Sequence, residues 1–238
     1  MVQGIIPLAF GVSSLYLIQG EGMIIIDTGS DVDKSAYIAA FRDLGVNPQD
    51  IRLIIISHGH SDHYARLAEV KELTGAPVLC HKLAARALET GENPEYVPRN
   101  KSGQDMLKLI LETVPVMSRT VIPDILVEDE FDLKEFGIDG KIVPTPGHSE
   151  CSLSVILDGG QAIVGDILVH SPIDGELCLA FLATDENKLF ASLQKLLDYA
   201  EIFYGGHGGP YTKAVVEKLL KDEAQIFDKA SGGVFGVK

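Results

Sequence analysis

The element order legible in the sequence predicts an α/β (α+β) fold in which two β-sheets are each covered by helices on their outer faces. Three observations carry this. Short apolar runs of strand length, bounded by turn residues, occur in both halves of the chain. In both halves they are followed by stretches with apolar residues at helical spacing. Hydrophobic residues make up 46% of the 238, enough for a large core, and sheets and helices alike must bury an apolar face. No linker separates the halves, so one domain over residues 1–238 is expected.

Taken in order, Ser14–Ile18 and Met23–Ile26 flank the turn-rich Gln19-Gly20-Glu21-Gly22 and read as a hairpin. Asp31–Leu44 reads as a helix with Tyr37, Ile38, Phe41 and Leu44 on one face, stopped by Gly45. Ile51–Ile56 is a continuous apolar run, hence a buried strand. A helix is expected from about Tyr64 to Leu73, a strand at Val78–Cys80 and a helical piece at Leu83–Leu88. The segment 91–124 holds Pro94, Pro98, Pro115 and Pro123 around a helical stretch, Asp105–Thr113, and reads as an insertion or lid. Its apolar residues Met106, Leu107, Ile110, Leu111, Val114 and Met117 suit a helix packed over the site or against a partner subunit. Strands follow at Phe131–Leu133, Lys141–Pro144, Ser152–Leu157 and Gln161–Val164, the last two joined by the turn Asp158-Gly159-Gly160. Asp185–Tyr199 reads as an amphipathic helix carrying Leu189, Leu193, Leu196 and Leu197. Ile202–Tyr204 is the last expected strand. Pro210 suits a helix first turn, continued by Val215, Leu219 and Phe227.

The charge narrows the function classes. A net charge of −14 disfavours nucleic acid as a partner, because such binders displace counterions with cations. No apolar run reaches the roughly 18–20 residues of a membrane span, and the N-terminus has no signal-peptide pattern, so a cytoplasmic location is expected. Cys80, Cys151 and Cys178 lack metal-binding or redox spacing and read as reduced, mostly buried thiols.

The chemistry begins where Ile51–Ile56 ends. Ser57 is followed by His58-Gly59-His60-Ser61-Asp62-His63, four nitrogen and oxygen donors within six positions. Such donors suit zinc, iron or manganese, and the small Gly59 and Ser61 let the loop turn so that alternate side chains converge.

With the order of the remaining motifs, the chain resembles the metallo-β-lactamase fold superfamily. His58-x-His60-x-Asp62-His63 matches its signature, Met23–Gly29 its first motif ending in Asp27, and Thr145–Ser149 its third, with His148. Val164-Gly165-Asp166 and Tyr204–Gly208, with His207, match the fourth and fifth. The resemblance runs from about residue 13 to 210. It implies a four-layered αββα sandwich, two mixed β-sheets flanked by helices, and a site for two divalent metal ions. Zinc is the first expectation, with iron or manganese as alternatives. The resemblance assigns His58, His60 and His148 to one ion, Asp62, His63 and His207 to the other, and Asp166 to both. Asp27 would orient the histidine loop, and Asp62 would carry a proton to the leaving group.

The activity so implied is hydrolysis of a small-molecule ester, thioester or lactone by a metal-bridging hydroxide, in the manner of the glyoxalase II and lactonase branches. Two alternatives stand beside it: a mononuclear iron dioxygenase of the persulfide type, and a phosphodiesterase or sulfatase. Asp166 stands where the well-known zinc β-lactamases have cysteine, so β-lactam hydrolysis is not the expected activity. Tyr64-Ala65-Arg66 departs from the small residues usual after the Asp-His pair. The partner is expected to be a small molecule, and a homodimer is compatible with the sequence. Substrate contacts are sought at His170, four residues past Asp166, at Tyr204, and at Arg99, Lys101 and Arg119 in the insertion. For these the plainer readings are an unligated histidine, a buried strand tyrosine and solvated charges. His81 reads as a surface or capping residue.

Overall fold

The structure is a computed structural model that describes residues 4–30, 32–113, 119–172 and 175–231. Its first half runs β1 (Gly4–Phe10), β2 (Ser13–Gln19), β3 (Met23–Ile26), α1 (Lys34–Asp43), β4 (Ile51–Ile56), α2 (Ser61–Tyr64), α3 (Leu67–Thr74), β5 (Val78–His81), α4 (Ala85–Thr90), α5 (Lys101–Thr113) and β6 (Ile125–Val127). The second half runs β7 (Phe131–Asp132), β8 (Gly140–Pro144), β9 (Leu153–Leu157), β10 (Gln161–Ile163), β11 (Leu168–His170), β12 (Leu177–Leu179), α6 (Glu186–Leu197), β13 (Ile202–Gly205), β14 (Gly208–Thr212) and α7 (Lys213–Ser231).

Two six-stranded mixed sheets result, ordered β1-β2-β3-β4-β5-β6 and β14-β13-β10-β9-β8-β7, with β11 and β12 as a separate pair. In the first, β1, β2 and β3 pair antiparallel and β3 to β6 parallel. The side-chain alternation of each strand sorts its residues into layers. Tyr16, Ile18, Ile24, Ile26 and Leu53 meet Leu153, Val155, Leu157 and Ile163 of the second sheet in a core between the sheets. The alternate residues Leu17, Ile25, Ile54 and Ile56 face the other way, against Tyr37 and Phe41 of α1 and Val70 of α3. Ile156 and Ala162 of the second sheet likewise pack against Leu189, Leu193 and Leu196 of α6 and Val216 and Leu220 of α7. This is the four-layered αββα sandwich. Both faces of β4 are buried from Leu53 to Ile56, which is why that stretch is apolar without alternation, while Arg52 near its start is exposed.

Several expected boundaries move. α1 starts at Lys34, because Asp33 caps it: its Oδ1 accepts from the amides of Ser35 and Ala36 at 2.9 and 3.3 Å. Ile38 and Leu44, expected on its buried face, are 49% and 38% exposed. The helix expected from Tyr64 is two pieces, α2 and α3, broken near Arg66. Pro210 lies in edge strand β14 rather than a helix first turn, a position where its missing N–H costs no ladder bond. The buried stripe of α7 falls on Val216, Leu220 and Ala224, while Val215 is exposed. β1 carries Pro7 and no alternation, so nothing in the sequence marks it, yet it pairs with β2 along its whole length. His81 is buried, and it does cap: its Nδ1 accepts from the Leu83 amide at 3.1 Å. Cys80 and Cys151 are buried and reduced, and Cys178 is partly exposed. No helix among the described residues is long and apolar enough to cross a membrane.

Candidate metal centre

The site forms where strands of both sheets end. β4 delivers Ser57 and His58, and the chain then turns into α2, which places His60 at its N-cap and Asp62 and His63 in its first turn. Asp27, just past β3, has a left-handed backbone, φ 58°, which aspartate tolerates better than most residues. That conformation sends its carboxylate beneath the loop. Oδ1 accepts from the Ser57 amide at 2.7 Å, and Oδ2 accepts from Ser57 Oγ at 2.7 Å and from His63 Nδ1 at 2.8 Å.

These partners orient four imidazoles. Ser57 Oγ gives its proton to Asp27, so it accepts from His58 Nδ1 at 3.0 Å. His148 Nδ1 donates to the Leu182 carbonyl at 2.9 Å and His207 Nδ1 to the Val12 carbonyl at 2.7 Å. With His63 tied to Asp27, four histidines have Nδ1 protonated and turn Nε2 inward. His60 is turned the other way. Its ring stacks on Tyr96, centroids 4.5 Å apart and planes 25° apart, and its Nδ1 faces His58 Nε2 at 3.1 Å and His148 Nε2 at 2.9 Å.

The second cluster holds Asp62, His63, Asp166 and His207. His207 Nε2 lies 3.2 Å from Asp62 Oδ2 and 3.2 Å from Asp166 Oδ2. His63 Nε2 lies 3.2 Å from Asp166 Oδ1, yet neither atom makes a hydrogen bond with acceptable geometry, and both are buried. Asp166 also reaches the first cluster, with Oδ2 at 4.0 Å from His58 Nε2 and 3.8 Å from His148 Nε2.

The donors fit metal ions. Three inward nitrogens, with His60 Nδ1 about 3 Å from each of the other two, cannot satisfy one another, since only His60 could carry a proton toward the other two and it could serve one of them. A cation among them satisfies all three, and these separations suit bonds of roughly 2.0–2.1 Å. In the second cluster His63 Nε2 and Asp166 Oδ1 lie 3.2 Å apart, buried and without a hydrogen bond, as two donors to one cation would.

The protonation pattern is consistent. Burial drives His58 well below the usual imidazole range, helped by His63, drives His60 down to about 3, and lowers His148 too, so this trio is neutral. Burial pushes His63 and His207 the same way, but Asp166 foremost overrides it, raising His63 well above its ordinary value and His207 to about 10. Burial opposes ionisation of Asp62 and Asp166. The imidazoles reverse this, His63 and His207 holding Asp62 at about 2, and His207 and His63 holding Asp166 well below the carboxylate range. Two carboxylates and two imidazoliums thus balance each other until a cation displaces the protons.

Gly206 keeps this geometry open. A Cβ there would lie 2.0 Å from Asp166 Oδ1 and 2.8 Å from His63 Cε1. Gly206→Ala is therefore expected to displace Asp166 and lower metal affinity by on the order of 10–100-fold, the range seen when ligand orientation is disturbed. Metal retention through a chelator titration checks this; unchanged retention would show that the loop gives way instead.

A cavity of about 690 Å³ opens above the two clusters, with His60, Asp62, His148, Asp166 and His207 in its floor. Met106, Leu109, Ile110 and Thr113 of α5 form one wall. So the helix of the 91–124 segment packs over the site; Val114 and Met117 lie outside the described residues. His170 also lines the cavity, with Tyr211 Oη 3.4 Å from its Nδ1. The other sequence candidates lie elsewhere. Tyr204 packs edge-on against Tyr16, 5.6 Å between centroids, and does not line the cavity. The Arg99 side chain is 5% exposed and committed to Glu186 at 3.0 Å and Glu223 at 2.9 Å, so it is neither a solvated charge nor a cavity residue. Arg119 pairs with Glu72 at 2.7 Å, outside the cavity, and Lys101 with Asp105 at 2.5 Å. Tyr64 and Arg66 turn away from the donors: Tyr64 Oη donates to the Ala87 carbonyl at 3.0 Å and Arg66 Nε to that of Ser30 at 2.7 Å. Tyr96 and Ser57 were not marked by any motif. Tyr96 sits in a proline-bounded stretch whose sequence gives no sign that it meets His60.

Comparison with known proteins agrees with this geometry. The mouse protein "Metallo-beta-lactamase domain-containing protein 1" is 26% identical over 232 residues, 94% of this chain and 74% of that protein. "Probable metallo-hydrolase YqgX" of Bacillus subtilis is 28% identical over 211 residues, 87% and 89% of the two chains. Among solved structures, the BLEG-1 B3 metallo-beta-lactamase superposes with a TM-score of 0.67 at 21% identity, covering 91% of this chain and 97% of that one. TTHA1623 in a di-iron-bound form superposes at 0.65 with 24% identity, covering 90% and 98%. These two likenesses show the fold. The sequence profile of the metallo-beta-lactamase superfamily matches residues 8–207, a stretch that takes in both donor clusters, and the chain belongs to that superfamily of metal-dependent hydrolases.

Proposed function

We propose that the protein is a dinuclear hydrolase that holds two divalent ions, zinc before iron or manganese, and cleaves an ester, thioester or lactone of a small molecule. The observation that supports this most is the junction of the two donor clusters at Asp166, within 4.0 Å of His58 and 3.2 Å of His63. His58, His60 and His148 would hold one ion, Asp62, His63 and His207 the other, and Asp166 both. Bound there, the ions would lower the pKa of a shared water toward about 7 and polarise the substrate's oxygen.

The protein's own groups do the rest. Asp27 holds Ser57 and His63 in place, so that the loop's donors stay aimed while substrate enters. Asp62 Oδ2 faces both the second cluster and the cavity, which suits it to carry a proton to the leaving group. The apolar residues of α5 in the cavity wall would shield the substrate from water, and His170 in the same lining offers a polar contact.

Elemental analysis of protein purified without added metal tests the reading. About two zinc ions per chain, with hydrolysis of simple esters or thioesters, is the expected result. The di-iron form of a structural relative makes iron the metal to look for beside zinc. About one iron per chain, with oxygen uptake on thiol persulfides, would replace hydrolysis by the oxygenase alternative.

A further inference from the structure

We propose that the cavity selects electrically neutral substrates carrying an extended apolar acyl or aryl group, and that it discriminates against those with an anionic tail. This deepens the hydrolase reading and rests on it. The cavity is divided by chemistry. Its acidic lining residues are Asp62 and Asp166, both at the floor and, with His207, part of a metal-donor cluster. The walls are mainly apolar, with Met106, Leu109 and Ile110 on α5 and Val169, Phe181 and Leu182 among the others. Their polar members, Ser13, Ser14, Tyr96, Thr113 and His170, are not acidic. No lysine or arginine is among the described lining residues.

The basic residues of the neighbouring segment are engaged elsewhere. Arg99 is held by Glu186 and Glu223, Arg119 by Glu72, Lys101 by Asp105 at 2.5 Å, and Lys108 faces Asp105 at 3.6 Å. Residues 114–118 and 173–174, which flank α5 and follow Pro172, contain no lysine or arginine in sequence. An anionic tail would therefore lie on a wall without lysine or arginine, in a chain of net charge −14, with no cationic side chain to offset its lost hydration. A neutral apolar tail meets the opposite conditions. Met106, Leu109, Ile110 and Thr113 follow helical spacing, so they form one stripe about 10 Å long. Leu109 is 45% exposed, which leaves apolar surface for a tail to cover. Burying each methylene is worth about a fourfold gain in affinity, the equivalent of ~0.8 kcal/mol. The polar residue His170, beside Tyr211, also lines the cavity and can contact a neutral leaving group without requiring charge.

The test uses the metal-loaded protein and begins with binding rather than turnover. Calorimetric titration with the N-methylamides of butanoic, hexanoic and octanoic acids is expected to show affinity rising about fourfold per methylene. Leu109→Asp should flatten that rise. Leu111→Asp, on the same helix but 63% exposed and outside the cavity lining, should leave it unchanged. In turnover, 4-nitrophenyl hexanoate should exceed the 4-nitrophenyl monoester of adipic acid by at least roughly tenfold in kcat/KM. Flat affinity across the amides, equal effects of the two aspartate variants, or a preference for the adipate ester would each overturn the proposal. A preference for the adipate ester would leave the hydrolase reading standing. An intact amide series with neither ester cleaved would support the cavity's selectivity and count against hydrolysis.

Discussion

Replacing Asp166 with asparagine is expected to remove on the order of 10³-fold or more from kcat/KM, at least ~4 kcal/mol of transition-state stabilisation. Among the described residues, this is the carboxylate that reaches both donor clusters. Its Oδ2 lies 3.2 Å from His207 Nε2, 3.8 Å from His148 Nε2 and 4.0 Å from His58 Nε2, while Oδ1 faces His63. Asparagine keeps the shape and one oxygen but loses the negative charge that two cations in one site require. The variant should therefore bind about one ion per chain instead of two, with the trio His58, His60 and His148 still loaded. Elemental analysis and ester kinetics on the same sample check this. Full metal content with near-normal turnover would show that Asp166 does not join the clusters functionally.

The second large effect falls on stability. Arg99→Leu is expected to destabilise the fold by about 3 kcal/mol, because it leaves two carboxylates facing an apolar group. For a chain of this size that corresponds to a loss of roughly 6–12 °C in Tm. Arg99 Nε bonds Glu186 of α6, one terminal nitrogen bonds Glu223 of α7, and the other donates to the Ala180 carbonyl at 2.9 Å. The clamp also reaches the site. The Arg99 amide donates to the Phe181 carbonyl at 3.1 Å and the Ala183 amide to that of Val97 at 2.8 Å, so residues 97–99 run alongside 181–183. Leu182 in that stretch supplies the carbonyl that orients His148. A loosened clamp should thus raise KM and weaken metal retention as well. Arg119→Ala serves as the control: its partner Glu72 is also exposed, and no measurable change in Tm is expected. An Arg99→Leu variant melting within about 1 °C of the wild type would show that the clamp is not structural.

How legible each part was depends on how local it is. The loop His58–His63 carries four donors in one turn of chain, so its meaning survives without a structure. Asp27, His148, Asp166 and His207 each follow a short apolar strand, and the sheet order brings those strand ends together. Strands buried on both faces, such as the Leu53–Ile56 stretch of β4, announce themselves by apolar content alone. Two of the edge strands do not: β1 and β14 carry proline and glycine, and only pairing with β2 and β13 makes them strands.

What the sequence by itself determined is therefore the family, the layered fold and the identity of the candidate metal donors, because each is written in contiguous residues or in strand-length patterns. Tertiary structure alone decided which nitrogen of each histidine points inward, since that depends on distant partners such as Val12 for His207 and Leu182 for His148. It also decided the roles of the remaining candidates. Arg99 and Tyr204 went to structural contacts, and His170 and α5 to the cavity wall. The physical reason is the same throughout: a side chain's type is fixed by its codon, but its partner is fixed by which elements the fold packs against it.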